Sequence, residues 1–208
     1  MSRIEHFIFD FDGTISNSYP IFVKIFHEIA DEKRLALNMD DFSLDRAMKI
    51  TVTNAFHSLG WDEIYDKKEL FQCFEKHQAM HKLDFRPFPD AVELLDRIAV
   101  CGKKAYIYTH TGEVVRDMLK NMNLLDRFEF ILDNSYGFPT KPALNALLYF
   151  LERFGLSADE CMMIGDRPSD AQAGMNAGML GCLWDADGLF LDFNPDIRVK
   201  SLLDIEIS

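Results

Sequence analysis

Two carboxylates, Asp10 and Asp12, stand one residue apart at the end of the apolar run Phe7-Ile8-Phe9, with Gly13 and Thr14 following. A run rich in phenylalanine and isoleucine reads as a buried strand, and an unpaired charge cannot join such a core. Carboxylates at the mouth of a parallel sheet suit a divalent cation, and Gly13 permits a sharp turn away from them. The same residues also read as a strand closed by a solvated acidic turn. A second apolar run, Cys161-Met162-Met163-Ile164, ends in Gly165-Asp166, with Asp170 four residues on and Pro168-Ser169 at the expected start of a helix. Two further sites carry other chemistry. Ala105-Tyr106-Ile107-Tyr108 stops at Thr109-His110-Thr111-Gly112, and Lys141-Pro142 opens a strongly periodic helix. Carboxylates, a hydroxyl and a lysine at strand ends are what phosphoryl transfer assisted by magnesium needs.

The elements that must position these groups fall into two blocks. After Thr14, Ile21, Phe22, Ile25, Phe26 and Ile29 recur at helical spacing over about 19–34. Further helices are expected at 42–48, 53–58 and 62–81, with no strand between them. Phe22, Phe26, Phe56, Phe71 and Phe74 read as the core of this helical block. Phe85-Arg86-Pro87-Phe88-Pro89 reads as a return hinge, because two prolines prevent a helix from crossing it. Beyond it, helices at 90–99, 113–121, 142–154 and 169–177 alternate with strands at 105–108, 128–132, 161–164 and 180–184. Such alternation implies right-handed crossovers and a parallel sheet covered by helices on both faces, an α/β fold with an all-helical insertion. Ligands of such sheets bind beyond the C-terminal strand ends, where all the singled-out residues fall. The acidic run from Asp185 reads as surface loops.

Composition narrows the choice of partner. The 208 residues suffice for one good core plus a smaller unit, and 48% hydrophobic with 27% charged residues is ordinary for a soluble globular protein. With 22 basic against 34 acidic residues the net charge is −12, which repels nucleic-acid phosphates and anionic membranes. A phosphate pocket must therefore make its own local positive potential. Only Arg3 precedes the first apolar segment, which is too short and too charged for a signal peptide. Cys73, Cys101, Cys161 and Cys182 are widely spaced with no CxxC pair, so they read as reduced residues of a cytoplasmic protein rather than a zinc site.

These four pieces, in this order, resemble the haloacid-dehalogenase-like superfamily. The likeness is to its magnesium-dependent phosphatases, related to phosphoglycolate phosphatase and beta-phosphoglucomutase. Asp10 to Thr14 match the family's Asp-x-Asp-Gly-Thr; Thr109, Lys141, and Gly165-Asp166 with Asp170 match the other three elements; and the run Asp170 to Met179 matches that subgroup. The resemblance implies a Rossmann-like core of residues 1–15 and 86–208 and a mobile helical cap of residues 16–85. It also implies a small phosphorylated metabolite as substrate, Mg2+ as cofactor, and a monomer or homodimer.

It further implies a role for each residue. Asp10 would be the nucleophile and a metal ligand, and Asp12 the proton carrier whose backbone carbonyl also binds metal. Asp166 would bind the metal directly, and Asp170 directly or through water. Thr109 and the Phe11 backbone would bind phosphate, and Lys141 would neutralise its charge and orient Asp10. Taken singly, Asp170 is also a helix N-terminal acid favoured by the dipole, Thr109 a turn residue, and Lys141 a surface lysine. His110 and Arg167 depart from common family usage. His110 is a titrating phosphate contact or a polar wall. Lys49, in the stretch Arg46 to Thr51 expected between two cap helices, is a substrate contact or a solvated lysine. A sugar-phosphate mutase on the same scaffold would show slow hydrolysis and bisphosphate-stimulated isomerisation. A non-catalytic binding module would have no chemical need for the intact set.

Overall fold

The structure is a computed structural model, described over residues 4–207; Arg3 lies outside them. It divides into two compact units, residues 1–16 with 87–208, and residues 17–86. The first unit carries the sheet. Its strands are β1 (His6–Phe9), β2 (Lys104–Tyr108), β3 (Phe130–Leu132), β4 (Cys161–Gly165), β5 (Leu180–Trp184) and β6 (Ile197–Val199). They are all parallel, in the order β3-β2-β1-β4-β5-β6. β1 lies between β2 and β4, with Phe9 level with Ile107 and Ile164, so the residues that follow these three strands emerge side by side. Buried on both faces, the strands read as apolar runs without alternation. Ile8, Tyr106, Met163, Leu147 and Phe150 belong to one continuous core cluster.

β6 was expected to be loop. It is three residues long with Arg198 at its centre, too short and too polar for an apolar run to announce it. Buried Asp185 holds the preceding turn, accepting from Leu189 N at 2.7 Å and from Arg198 Nη1 at 2.5 Å. The helix expected from Pro142 begins at Asn145 instead, since residues 140–143 form a turn in which Ala143 N donates to Thr140 O at 3.0 Å.

The second unit contains α1 (Tyr19–Lys33), α2 (Asp41–Ile50), α3 (Val52–Ser58) and α4 (Lys67–Met80), and no strand among its residues. The single helix expected over 62–81 is two elements: a 3-10 turn at Trp61–Glu63, then α4, which Asp66 caps by accepting from Lys68 N at 2.8 Å. Stacked and edge-on rings fill this unit. Phe26 lies 5.0 Å from Phe56 and 5.4 Å from Trp61, and Phe22 lies 5.0 Å from Phe74. Lys49 is not between helices but in the last turn of α2, 3.2 Å from Asp45 and 5.6 Å above the Tyr19 ring. Thr51, with extended backbone, makes the break to α3 and caps it through Asn54 N at 2.8 Å.

The remaining helices belong to the first unit: α5 (Pro89–Val100), α6 (Val114–Asn121), α7 (Asn145–Phe154) and α8 (Pro168–Asn176). Within this unit Ser16 pairs with Pro87 and Phe88 N donates to Ile15 O at 2.9 Å, so the chain leaves and re-enters the sheet unit at neighbouring positions.

Candidate active site

Asp10 continues the β1–β4 ladder by one bond, its N–H donating to Ile164 O at 2.8 Å. The chain then turns sharply. Gly13 takes φ 80°, a conformation that favours glycine. The Phe11 carbonyl accepts from Ser16 N at 2.8 Å and Ile15 N at 3.0 Å, while its ring is fully buried. This anchor fixes the carboxylates on either side of Phe11 at the sheet edge. Thr109 extends the β2–β3 ladder in the same way, donating its N–H to Leu132 O at 2.9 Å. Its hydroxyl oxygen accepts from Thr111 N at 3.0 Å.

Lys141 is buried, and its ammonium has three acceptors: Asp10 Oδ1 at 2.6 Å, Asp170 Oδ1 at 2.8 Å and Tyr108 O at 2.9 Å. Burial works against the charged form, but Asp10 and then Asp170 outweigh it and hold the lysine above its ordinary pKa. Asp170 is buried too, in the first turn of α8, and its second oxygen accepts from Arg167 N at 3.1 Å. Gly165 makes this approach possible. A Cβ at that position would lie 2.3 Å from Asp170 Cβ, inside any real contact distance.

Asp10, Asp166 and Asp170 each offer one carboxylate oxygen within 4.8 Å of the others. Three hard oxygen donors suit Mg2+, which keeps several waters and needs few protein ligands. Thr14 Oγ1 reaches Asp166 Oδ1 at 3.5 Å. The Asp12 side chain is not part of this trio; its Oδ2 accepts from the Thr111 hydroxyl. Thr111, buried three residues beyond β2, has no role in the sequence reading, although a second hydroxyl two residues after Thr109 is the available signal.

His110 is bound to the turn that carries Lys141. Its Nε2 accepts from the Lys141 backbone N–H at 3.1 Å, which places the ring proton on Nδ1. Surrounding protein, then the Lys141 charge, push its pKa down to about 4, although part of the residue is exposed. Lys49 lies in the helical unit, paired with Asp45 at 3.2 Å within α2. An open depression of about 660 Å³, lined by Glu113, Arg116, Ser135 and Tyr136 among others, includes none of the carboxylate trio.

A family model for haloacid dehalogenase-like hydrolases matches residues 7–194. The chain belongs to that family. Phosphoglycolate phosphatases are among its relatives, and it is an enzyme of the phosphatase type. A phosphoglycolate phosphatase of Thiobacillus denitrificans is 27% identical over 84% of this chain and 80% of its own length. A Clostridium perfringens protein assigned as the pyrophosphatase PpaX is 25% identical over 97% of this chain and 95% of its own. The fold matches that of a beta-phosphoglucomutase from Clostridium difficile with TM-score 0.77 at 17% identity, covering 98% of this chain and 93% of that one.

Proposed function

We propose that this phosphatase hydrolyses a small soluble phosphomonoester, with Mg2+, through a phosphoryl group carried on Asp10. The observation that supports it most is the buried Lys141 ammonium bridging Asp10 and Asp170, beside Asp166, at the ends of adjacent parallel strands. Asp10, Asp166, the Asp12 carbonyl and Asp170 would hold Mg2+, which would supply positive charge against the phosphoryl oxygens.

In the first step an Asp10 oxygen attacks phosphorus and the bond to the substrate's alcohol oxygen breaks. Asp12 passes its proton to that oxygen, so the leaving group departs as a neutral alcohol. In the second step Asp12 takes a proton from water, the water oxygen attacks phosphorus, and the bond to Asp10 breaks to release phosphate. The Thr111 hydroxyl, donating to one Asp12 oxygen, orients the other for both transfers. Lys141 balances charge on Asp10 and the phosphoryl group, and Thr109 with the Phe11 backbone binds the phosphoryl oxygens. The helical unit, residues 17–86, is read as a cap that supplies selectivity and excludes water, with Lys49 its proposed substrate contact. Relatives named for phosphoglycolate and for pyrophosphate are about equally distant, so similarity does not choose the substrate.

The test is hydrolysis of p-nitrophenyl phosphate with and without Mg2+, followed by a panel of sugar, nucleotide, small-acid and pyrophosphate substrates. Metal-dependent phosphate release is the expected result. Lack of any Mg2+-dependent phosphoester hydrolysis rejects the reading.

A further inference from the structure

The helical unit holds a second group of metal-ligating side chains. Glu28 and Glu32 lie one turn apart on α1, Cys73 and His77 lie one turn apart on α4, and His81 caps the C-terminal end of α4. Such spacings place each set on one helix face. His77 and Cys73 are buried, and all four cysteines are unbridged. His77 Nδ1 lies 2.8 Å from Glu28 Oε2, and Nε2 lies 2.9 Å from Glu32 Oε2. Glu32, Cys73 and His77 each present one ligand atom within 4.8 Å of the other two.

We propose that Cys73 Sγ, His77 Nε2 and a Glu32 carboxylate oxygen form a site for a borderline divalent cation of the Zn2+ class. One sulfur, one imidazole and one carboxylate match a tetrahedral zinc set with its fourth position open to water. With Zn–S about 2.3 Å and Zn–N about 2.0 Å, tetrahedral ligands sit some 3–4 Å apart, close to the spacing already present. Glu28 supplies the outer partner that a metal-bound histidine needs, a carboxylate accepting from the other ring nitrogen. Thiolate and imidazole also make the site poor for Mg2+, which distinguishes it from the all-carboxylate trio of the sheet unit.

On binding, the Cys73 thiol loses its proton and His77 loses the one on Nε2, so Zn2+ with one thiolate and one carboxylate is neutral. Burial holds the Cys73 thiol above its ordinary pKa, so without a metal it stays protonated. Two lysines oppose a cation. Lys33 is already paired with Glu69 at 2.6 Å. Lys76 sits 2.8 Å from Glu32 but is 56% exposed, free to turn into solvent when displaced.

The test is independent of the phosphatase reading. The full chain is titrated with Co2+ in excess Mg2+, which saturates the carboxylate trio, and followed by absorbance. One equivalent should produce a sulfur-to-cobalt charge-transfer band in the near ultraviolet, displaced by one equivalent of Zn2+. Cys73→Ser should abolish the band. Glu32→Gln, an exposed change, should weaken binding at least tenfold, and Lys76→Ala should tighten it. Asp166→Asn should leave the band intact. Circular dichroism identifies a variant that has failed to fold, and Glu32→Gln with Lys76→Ala then decide. No thiolate band, a band that survives Cys73→Ser in folded protein, or affinity indifferent to both Glu32→Gln and Lys76→Ala overturns the proposal.

Discussion

Lys141 and His77 each bridge two carboxylates, yet their surroundings differ in kind. Around Lys141 the side chains of Asp10 and Asp170 are 10% and 3% exposed; around His77 those of Glu28 and Glu32 are 30% and 41% exposed. The first set is held by strand ends and the ladder bonds that extend them, the second by two helices whose long side chains can re-aim. A buried charge network tolerates little rearrangement, because removing one partner strands the others in low dielectric. A half-exposed one can exchange its cation at small cost. The sheet-edge trio is thus built for one geometry, and the interhelical cluster for exchange.

The largest separation between the two should come from removing each bridge. Lys141→Met leaves two buried carboxylates without their shared cation, which should cost about 3–5 kcal/mol of stability and eliminate turnover. His77→Gln should lower stability by far less and leave phosphatase turnover in place. Urea unfolding and p-nitrophenyl phosphate assays on both variants measure the contrast, and equal losses would erase it.

Gly165→Ala probes how finely the sheet edge is set. The added Cβ must displace Asp170 and the start of α8. A misplacement of about 1 Å can lower the rate by about 10²-fold, and overpacking should cost about 1–3 kcal/mol. Magnesium affinity and kcat report the first effect, thermal unfolding the second.

His110→Ala should lower kcat by a factor of about five to ten, the worth of one hydrogen bond of about 1 kcal/mol, with little change in KM. His110→Gln, whose carbonyl can accept from Lys141 N, should recover most of it. Because His110 is pushed down to about 4, the folded form resists protonation where the unfolded chain accepts it. Its contribution to stability is therefore full above about 6.5 and is lost as pH falls from there toward 4. His81 carries the opposite sign. Burial lowers it, but bonds to Asp84 and Glu28 outweigh that and raise it above its ordinary value. Its contribution is full below that ordinary value and is lost as pH rises through the raised one. Histidine NMR titration of the two rings should show the opposed shifts, the smallest effect in the series.

What the sequence disclosed follows the same division. Strand ends were legible because an apolar run that stops at a carboxylate leaves few alternatives, as at Asp10 and Asp166. The trio was legible as a set only through the order of its motifs. Lys141 was placed at a helix start, whereas it lies in the turn before α7, since Pro142 is compatible with either. The Lys141–His110 bond depends on how two loops meet, which no local pattern encodes, whereas Thr111 carried a local signal, its hydroxyl two residues after Thr109. The group formed by Glu32, Cys73 and His77 joins residues more than forty positions apart across a helix pair, and cysteine spacing alone argued against it. β6 escaped because three residues with an arginine at the centre carry no periodicity.

Whether Asp10 carries the phosphoryl group at a metal-assisted sheet edge is decided by comparing the wild-type chain with Asp10→Asn on p-nitrophenyl phosphate, each with Mg2+ and with EDTA. Rapid Mg2+-dependent release for the wild type and none for Asp10→Asn, with both proteins folded, is the predicted result. Turnover that persists in Asp10→Asn, or that is indifferent to EDTA, would contradict it.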